Sequence, residues 1–420
     1  MVRRAMAVVA VALWCVLAVQ GRVENTMTEI FHPDFRSLQL MVNDNIFMHP
    51  VLIVDGMDYL TVEFDELAED RRFLRYSIVH CDASWQPSAL AETEYLDGFN
   101  LGEVTDYEYS QATTTHYVHY RITLPDGNMR PTLSGNYLLR VFDEQNPEDT
   151  LLQARFYVSE QRAGIMADVT SNTDIDINRA HQQLSLKIDC SNVPVQSPFA
   201  DLVVYVQQNR RLDNEVKLTN PMRVVGRTAV YEHLKPLIFP AGNEFRRFET
   251  VTLNYPGMRV EEVGFYAPFY HASLTTDEPR RSYQYDSTQQ GRFMVRNAET
   301  TGNSQQDADY VVTHFSLYAP ELRDRTVFLN GDFVNQNFNQ NSQMAYNPET
   351  GLFERSMLLK QGSYNYQYLT GDASNRGSRT EAVEGDCYET NNEYTIKVYT
   401  RLPGERYDRL IGYSTVYYGN

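Results

Sequence analysis

Histidine and acidic side chains that could hold a metal occur at two places in the chain. His116 and His119 stand three residues apart within an alternating segment that predicts a strand. Successive side chains on a strand point to opposite faces, so this odd spacing separates the two imidazoles. Asp174, Asp176 and Asn178 share one face of an extended segment, where calcium would find oxygen ligands. The segment lacks the glycine and the glutamate of a calcium loop, so we predict a solvated acidic edge and no metal site.

The sequence also lacks the common signatures of a catalytic site. The chain contains no G-x-S-x-G, no H-E-x-x-H and no glycine-rich phosphate loop, which are common signatures of a nucleophile, a zinc site and a phosphate cradle. Asp82 with Glu94, or Glu261 with Glu262, could be proposed as a glycosidase pair. Because the chain holds 55 acidic residues, such pairs arise by chance. We therefore predict no catalytic site, no cofactor and a protein that is not an enzyme.

Residues 1–21 have the pattern of a secretory signal peptide. Arg3 and Arg4 precede an apolar run at residues 5–19, and Gly21 supplies a small residue for cleavage. The run is too short to span a bilayer comfortably, so we expect an exported protein. The formal charge of −18 would repel nucleic acid and anionic lipid. Neither is therefore expected as a partner, and we predict no direct insertion into a membrane.

Three cysteines follow the predicted signal peptide, at Cys81, Cys190 and Cys387. Their odd number and wide spacing do not imply a disulfide framework. One bridge in an oxidising compartment and three buried thiols both stay open.

Short alternating segments separated by turn residues fill the rest of the chain. The clearest is Tyr117–Leu124, where Val118, Tyr120 and Ile122 alternate with polar residues. The chain is also rich in aromatic residues, with 29 Tyr and 20 Phe, and aromatic residues favour strands. We predict an all-β protein built of serial β-sandwiches, immunoglobulin-like or early-set-like in architecture.

The segments group into three units of similar size. We predict an N-terminal domain at 22–162, a middle domain at 163–300 and a C-terminal domain at 301–420. The polar stretch 297–308 has no apolar anchor and fits a linker. Residues 407–420 are predicted to be the closing strand of the third unit.

Two strings stand out in the third unit, the turn NGDF at 330–333 and the run LKQGSYNYQY at 359–368. They resemble the early-set modules that accompany glycogen- and starch-acting enzymes. That resemblance implies a carbohydrate-binding protein as an alternative function. Such modules stack Trp rings on sugars, and this unit has no Trp, so Phe338 is the candidate in that place.

A further set of strings occurs in a characteristic order along essentially the whole mature chain. They are YSIVHCDASW (76–85), TTTHYVHY (113–120), SGNYLL (134–139), AGNEFRRF (241–248) and LKQGSYNY (359–366). In this order they resemble the plug protein family of the type IX secretion system. The resemblance implies a non-enzymatic periplasmic protein, associated peripherally with the outer membrane through a partner. That partner would be the β-barrel translocon, whose periplasmic opening the protein would bind and seal.

The resemblance supplies no contact residues, so aromatic and charged residue types provide the candidates. The candidate partner-binding residues are Trp85, Tyr95, Phe99, Phe245, Arg246 and Phe338. The first three lie in a long irregular stretch at 82–111, where large aromatics could anchor a partner. The alternatives stay open that Trp85 packs inward, and that Arg246 pairs with a carboxylate at a structural corner.

Overall fold

The protein is almost entirely β. The computed structural model describes residues 25–371 and 378–419, and the predicted signal peptide at 1–21 lies outside the described residues. Strands make up 48% and helices 5% of the structure, in several separate sheets. The prediction of an all-β protein of serial β-sandwiches is therefore confirmed.

The first sandwich packs two sheets over one apolar core. Its strands are β1 Glu29–Ile30, β2 Phe35–Val42, β3 Val51–Ile53, β4 Leu60–Glu66, β5 Leu74–Cys81, β6 Leu96–Gly98, β7 Gly102–Glu103, β8 Asp106–Tyr109, β9 Val118–Leu124, β10 Met129–Pro131, β11 Gly135–Asp143 and β12 Asn146–Ser159, with one helical turn, α1 Glu92–Tyr95. One sheet has the order β1-β12-β11-β5-β7, and the other has the order β2-β4-β9-β8, with their strand pairs antiparallel except for β3 with β12. The aromatic residues Phe64, Tyr120 and Tyr137 fill the space between them.

The second sandwich begins directly after β12. Its strands in this part of the chain are β13 Gly164–Thr170, β14 His181–Asp189, β15 Leu202–Gln208, β16 Val216–Leu218, β17 Arg223–Val225, β18 Thr228–Tyr231 and β19 Ile238–Pro240, with the helical turn α2 Pro198–Asp201 and a 3-10 turn Lys235–Leu237. One of its sheets has the order β13-β14-β18-β17, with β19 also paired to β14. The other sheet needs strands from the end of the chain.

The third sandwich follows. It contains β20 Arg246–Glu249, β21 Val260–Tyr266, β22 Phe269–Leu274, β23 Phe293–Val295, β24 Tyr310–Tyr318, β25 Thr326–Asn330, β26 Ala345–Asn347, β27 Leu352–Lys360 and β28 Gly362–Gly371, with α3 Ser304–Asp307 and 3-10 turns Pro320–Leu322 and Asp332–Val334. Residues Tyr364, Tyr366 and Tyr368 alternate along β28 and are all buried in its core. This is the pattern expected of a strand with one aromatic face.

The last two strands leave the third sandwich and return to the second. Strands β29 (Asn392–Thr400) and β30 (Arg409–Tyr418) complete the sheet β16-β15-β29-β30. Val204 on β15 lies opposite Val398 on β29, and Ile396 and Ile411 lie in the core of the second sandwich. The prediction that residues 407–420 close the third unit is wrong, because β30 pairs with β29 and buries Ile411 in the core of the second sandwich.

The strand pairing therefore does not follow a division at residues 300/301. We propose that the middle domain is discontinuous, with strands β20 to β28 inserted between β19 and β29. The linker predicted at 297–308 instead carries α3 and touches the first sandwich. There the hydroxyl of Tyr117 donates to the carbonyl oxygens of Gln305 and Ala308 at 3.0 and 2.9 Å.

A chain that ends at residue 391 should lose the second sandwich and keep the first. Removing β29 leaves β15 with one short neighbour, β16, and uncovers the core of that sandwich. Hydrogen exchange should become fast for the amides of Leu202–Gln208 and stay slow for those of Leu74–Cys81. Slow exchange at Leu202–Gln208 in the shortened chain would contradict the discontinuous arrangement.

A buried ion pair joins the first sandwich to the third. Lys360 Nζ lies 2.7 Å from Asp65 Oδ2, and both side chains are essentially inaccessible. The same carboxylate accepts a hydrogen bond from Tyr310 at 2.6 Å and contacts His119 Nδ1 at 2.7 Å. Burial lowers the pKa of Lys360, and Asp65 opposes that effect. A charge enclosed in this way depends on its partner.

Lys360→Met should lower the free energy of unfolding by about 3–5 kcal/mol, because it leaves the Asp65 carboxylate buried without its ammonium partner. Urea denaturation provides the measurement. The matched control is Lys187→Met, because Lys187 is half exposed and 3.9 Å from Glu232, and such a pair contributes about 0–1 kcal/mol. Equal losses in the two variants would show that the Asp65 contact has no special role.

Candidate functional site

Trp85 lies at the contact between the first and second sandwiches. It lies within a turn in which Asp82 Oδ1 accepts hydrogen bonds from the backbone N–H groups of Ser84 and Gln86 at 2.8 and 3.0 Å. The indole meets the ring of Tyr157 edge-on at 5.3 Å between centroids, and the Arg155 guanidinium carbon lies 4.1 Å from the indole centroid. Only 6% of Trp85 is exposed. This position agrees with the alternative that Trp85 packs inward. A role for Trp85 in binding a partner stays a prediction.

Three other aromatic candidates are also buried. The hydroxyl of Tyr95 donates to the carbonyl oxygen of Ile78 at 3.2 Å inside the first sandwich. Phe245 packs so closely on the backbone at Gly291 that an added methyl there would lie 2.9 Å from its ring. Phe338 belongs to a small separate apolar cluster. Partner contact by these residues is untested, and none of them offers an accessible ring in this structure.

Arg246 occupies the centre of a buried charge network within the third sandwich. Its Nε lies 3.0 Å from the Glu384 carboxylate, and its Nη1 lies 2.7 Å from Asp277 Oδ1. Tyr366 and Tyr368 donate to the other oxygen of Asp277 at 2.7 and 2.8 Å. Burial acts to lower the pKa of Arg246, but the two carboxylates outweigh it and raise the pKa. This network agrees with the alternative that Arg246 pairs with a carboxylate at a structural corner. A role for Arg246 in binding a partner stays a prediction.

Phe99 is the one exposed residue among the six candidates. It is 76% exposed, and nearby Leu101 is 55% exposed. The chain reaches Phe99 through Gly98, whose φ of 107° and close approach to Asn128 leave no room for a side chain, since an added methyl would lie 1.8 Å from the Asn128 carbonyl oxygen. The backbone N–H of Phe99 donates to that oxygen at 2.8 Å. The ring is thus displayed from a fixed backbone rather than from a free loop.

A second exposed aromatic group lies at the end of the β21–β22 hairpin, which we call the aromatic hairpin (residues 260–274). Phe265 and Tyr266 are 51% and 60% exposed. Phe265 packs edge-on against Tyr270 at 5.1 Å between ring centroids, and Tyr266 against His271 at 5.5 Å. The sequence analysis missed this group. The signal was available, because aromatic residues flank an Ala-Pro pair that marks a turn.

The side chains considered as metal ligands are bound to protein groups. Asp174 lies 2.9 Å from His233 Nδ1, and Asp176 lies 2.7 Å from His181 Nδ1. Within residues 25–371 and 378–419, no group of three or more His, Cys, Asp or Glu side chains could hold a metal ion. No disulfide joins the three described cysteines. Burial raises the pKa of the Cys190 thiol to about 11, so this thiol is unreactive.

The three sandwiches meet at Glu393. This buried carboxylate on β29 lies 2.9 Å from Arg292 Nη2 of the third sandwich. Its other oxygen lies 2.6 Å from His49 Nε2 of the first, a contact with the distance but not the full geometry of a hydrogen bond. Burial acts to raise the pKa of Glu393. The charges of His49, Arg292 and Arg210 outweigh burial and hold the pKa below its ordinary value of 4.5.

Stability should therefore depend on pH through Glu393. Because its pKa is lower in the folded than in the unfolded protein, its contribution is complete above pH 4.5 and is lost as the pH falls toward the folded value. At pH 7, Glu393→Gln should lower the free energy of unfolding by about 3–5 kcal/mol. The difference from wild type should shrink below pH 4.5 in urea denaturation series. Exposed Glu349 provides the control, Glu349→Gln, for which no such pH-dependent difference is expected.

The geometry defines the class of protein: serial β-sandwiches joined by buried charges, with aromatic side chains displayed on fixed backbone. Residues 35–160 match the family model described as type 9 secretion system plug protein, first domain. The chain belongs to the type 9 secretion system plug protein family. The family suggests involvement in type IX secretion, a periplasmic location and a non-enzymatic role. Among the described helices, none is long and apolar enough to cross a membrane.

The chain is also similar to solved structures. The crystal structure of a hypothetical protein from Parabacteroides merdae is 39% identical in sequence, has a TM-score of 0.92, and the match covers 94% of this chain and 100% of that chain. A match to the alkylpurine DNA glycosylase AlkC of Pseudomonas fluorescens has 10% identity, covers 30% of each chain and has a TM-score of 0.17, so it carries no argument. No curated protein matches the chain.

Proposed function

We propose that this protein is a non-enzymatic periplasmic plug. It binds and seals the periplasmic opening of the outer-membrane β-barrel through which type IX secretion proceeds. Membership of the plug protein family supports the link to this secretion system. In this role the protein is held at the outer membrane by its partner, without inserting into the bilayer itself.

The observation that carries the proposal is the set of buried charges between the sandwiches. Lys360 with Asp65 joins the third sandwich to the first, and Arg292 with Glu393 joins the third to the second. Separating any two sandwiches would expose a charge to solvent or leave it buried without its partner, which costs several kcal/mol. A body made in this way keeps its shape when it is pressed against an opening, as a seal requires.

The exposed aromatic groups suit a reversible contact. Interfaces that form and release are polar at the rim and depend on a few large side chains near the centre. Phe99 with Leu101 on the first sandwich, and Phe265 with Tyr266 on the third, are such side chains. Release then requires only that the translocon has a second state with lower affinity for the plug.

The carbohydrate-binding alternative receives no support from the third sandwich. Phe338 is buried against Phe328 at 5.7 Å between ring centroids, so it has no free face for a sugar. Tyr346 packs on Phe353 at 4.9 Å. The plug is therefore the single function that we propose.

Affinity purification of the tagged mature protein from gently solubilised outer membranes tests the proposal. The expected result is co-purification of one very large outer-membrane barrel protein in near-equal amount. Recovery of the protein alone, under conditions in which the barrel stays soluble, would overturn the plug function. Conductance of purified barrels in a planar bilayer gives a second measurement, and added protein should close the pores.

Phe99→Ala should weaken binding to the barrel while leaving stability unchanged, because Phe99 is exposed and touches no core. A central aromatic anchor contributes about 2 kcal/mol or more, which is a loss of about 30-fold in affinity. The matched control is Met57→Ala, because Met57 is 98% exposed on another loop of the same sandwich. If both variants bind as wild type, Phe99 is not an anchor, and Phe265→Ala tests the aromatic hairpin in the same assay.

A further inference from the structure

A cavity of about 140 Å³ lies where the three sandwiches meet, and we call it the junction cavity. Its walls include Arg155 from the first sandwich, Arg210 and Leu212 from the second, and Arg292 and Asp332 from the third. No single sandwich could form it. The cavity is separate from the exposed aromatic groups to which the proposed function assigns partner binding.

The charges around the junction cavity do not balance. Arg210 lies 2.8 Å from Asp332, and Arg292 lies 2.9 Å from Glu393. His49 also faces Glu393, and an imidazole adds no negative charge in either protonation state. The third guanidinium, that of Arg155, is therefore left in excess within a protein whose formal charge is −18.

Arg155 forms no salt bridge among the described residues, because the nearby carboxylate of Glu215 pairs with Lys397. Its guanidinium donates to the carbonyl and hydroxyl oxygens of Thr26 and lies over the indole of Trp85. Burial lowers the pKa of Arg155, although the residue as a whole stays partly exposed. A partly buried guanidinium is better stabilised when an anion compensates it, and acidic side chains outnumber basic ones in this chain. The missing counter-charge is thus a feature of the site.

We propose that the junction cavity binds a small carboxylate monoanion, with Arg155 as its charged anchor. One unbalanced positive charge matches one negative charge. The planar guanidinium fits a carboxylate through two parallel hydrogen bonds. Leu38, Leu40 and Leu212 line the cavity and would contact a short apolar tail. A cavity of about 150 Å³ is known to hold a ring as large as benzene, so a four-carbon acid fits.

Binding at this place would act on all three sandwiches together. A ligand that contacts Arg155, Leu212 and Arg292 is held only while the sandwiches keep their mutual arrangement. By mass action, it stabilises that arrangement over any opened one. The same protein would then hold its shape more firmly when the ligand is abundant.

Saturation-transfer NMR on the full mature chain tests the proposal, with butyrate as the probe and 1-butanol and phosphate as comparisons at constant ionic strength. We expect saturable binding of one butyrate per chain and binding of 1-butanol weaker by about tenfold or more, because 1-butanol lacks the charge. Phosphate, which is larger in charge and has no apolar tail, should also bind more weakly. Absence of saturable butyrate binding, or equal binding of 1-butanol or phosphate, would overturn the proposal.

Variants then locate the site. Arg155→Gln should weaken butyrate binding by about tenfold or more, the loss expected for a charged hydrogen bond. Leu212→Trp fills the cavity without changing a charged residue and should abolish butyrate binding. It therefore tests the location of the site even if Arg155→Gln does not fold. Arg223→Gln is the control, because Arg223 is half exposed and does not line the cavity. Wild-type affinity in Leu212→Trp would place butyrate elsewhere and refute the assignment.

Discussion

The contact of the Glu393 carboxylate with groups from the two other sandwiches is the constraint on which the arrangement of this protein depends. Its carboxylate lies on β29 of the second sandwich and meets Arg292 from the third and His49 from the first. Arg292 also donates to the backbone carbonyl oxygens of Ile46 and Phe47. A single buried negative charge thus fixes the positions of three separate apolar cores. Charges so deeply enclosed contribute less to net stability than to specifying one arrangement, which we regard as their role here.

The sequence predicted what depends on local pattern and failed where distant segments meet. Alternation along Val118–Leu124 predicted β9, and its apolar residues do lie in the core of the first sandwich. His119 lies on the opposite face, yet it is also buried. It contacts Asp65 on the neighbouring strand β4, and Lys360 of the third sandwich covers this carboxylate. Periodicity shows that a segment is a strand with one apolar face, but it does not name the strand with which it pairs.

The candidate site shows the same division. Residue type selected Trp85, Tyr95, Phe245 and Phe338 as anchors, but large aromatics are buried more often than displayed, and these four are all covered. Phe99 differs from them only in its setting, since the backbone at Gly98 is held against Asn128 and turns the ring outward. That approach involves residues thirty positions apart, which no reading of neighbours reveals. The family, in contrast, was recognisable from short sequence strings, because comparing the order of such strings does not require knowing which residues are in contact.

The return of β29 and β30 to the second sandwich sets an order of folding. The N-terminal part of a chain emerges first during synthesis and folds as a unit. The first sandwich has all of its strands within residues 29–159 and can form at once, but β15 waits for a partner that lies about 190 residues later in the chain. Until β29 and β30 have been synthesised, the edge of β15 is open to other chains. Strands β29 and β30 therefore act as a check, since only molecules that contain both of them can bury the core of the second sandwich.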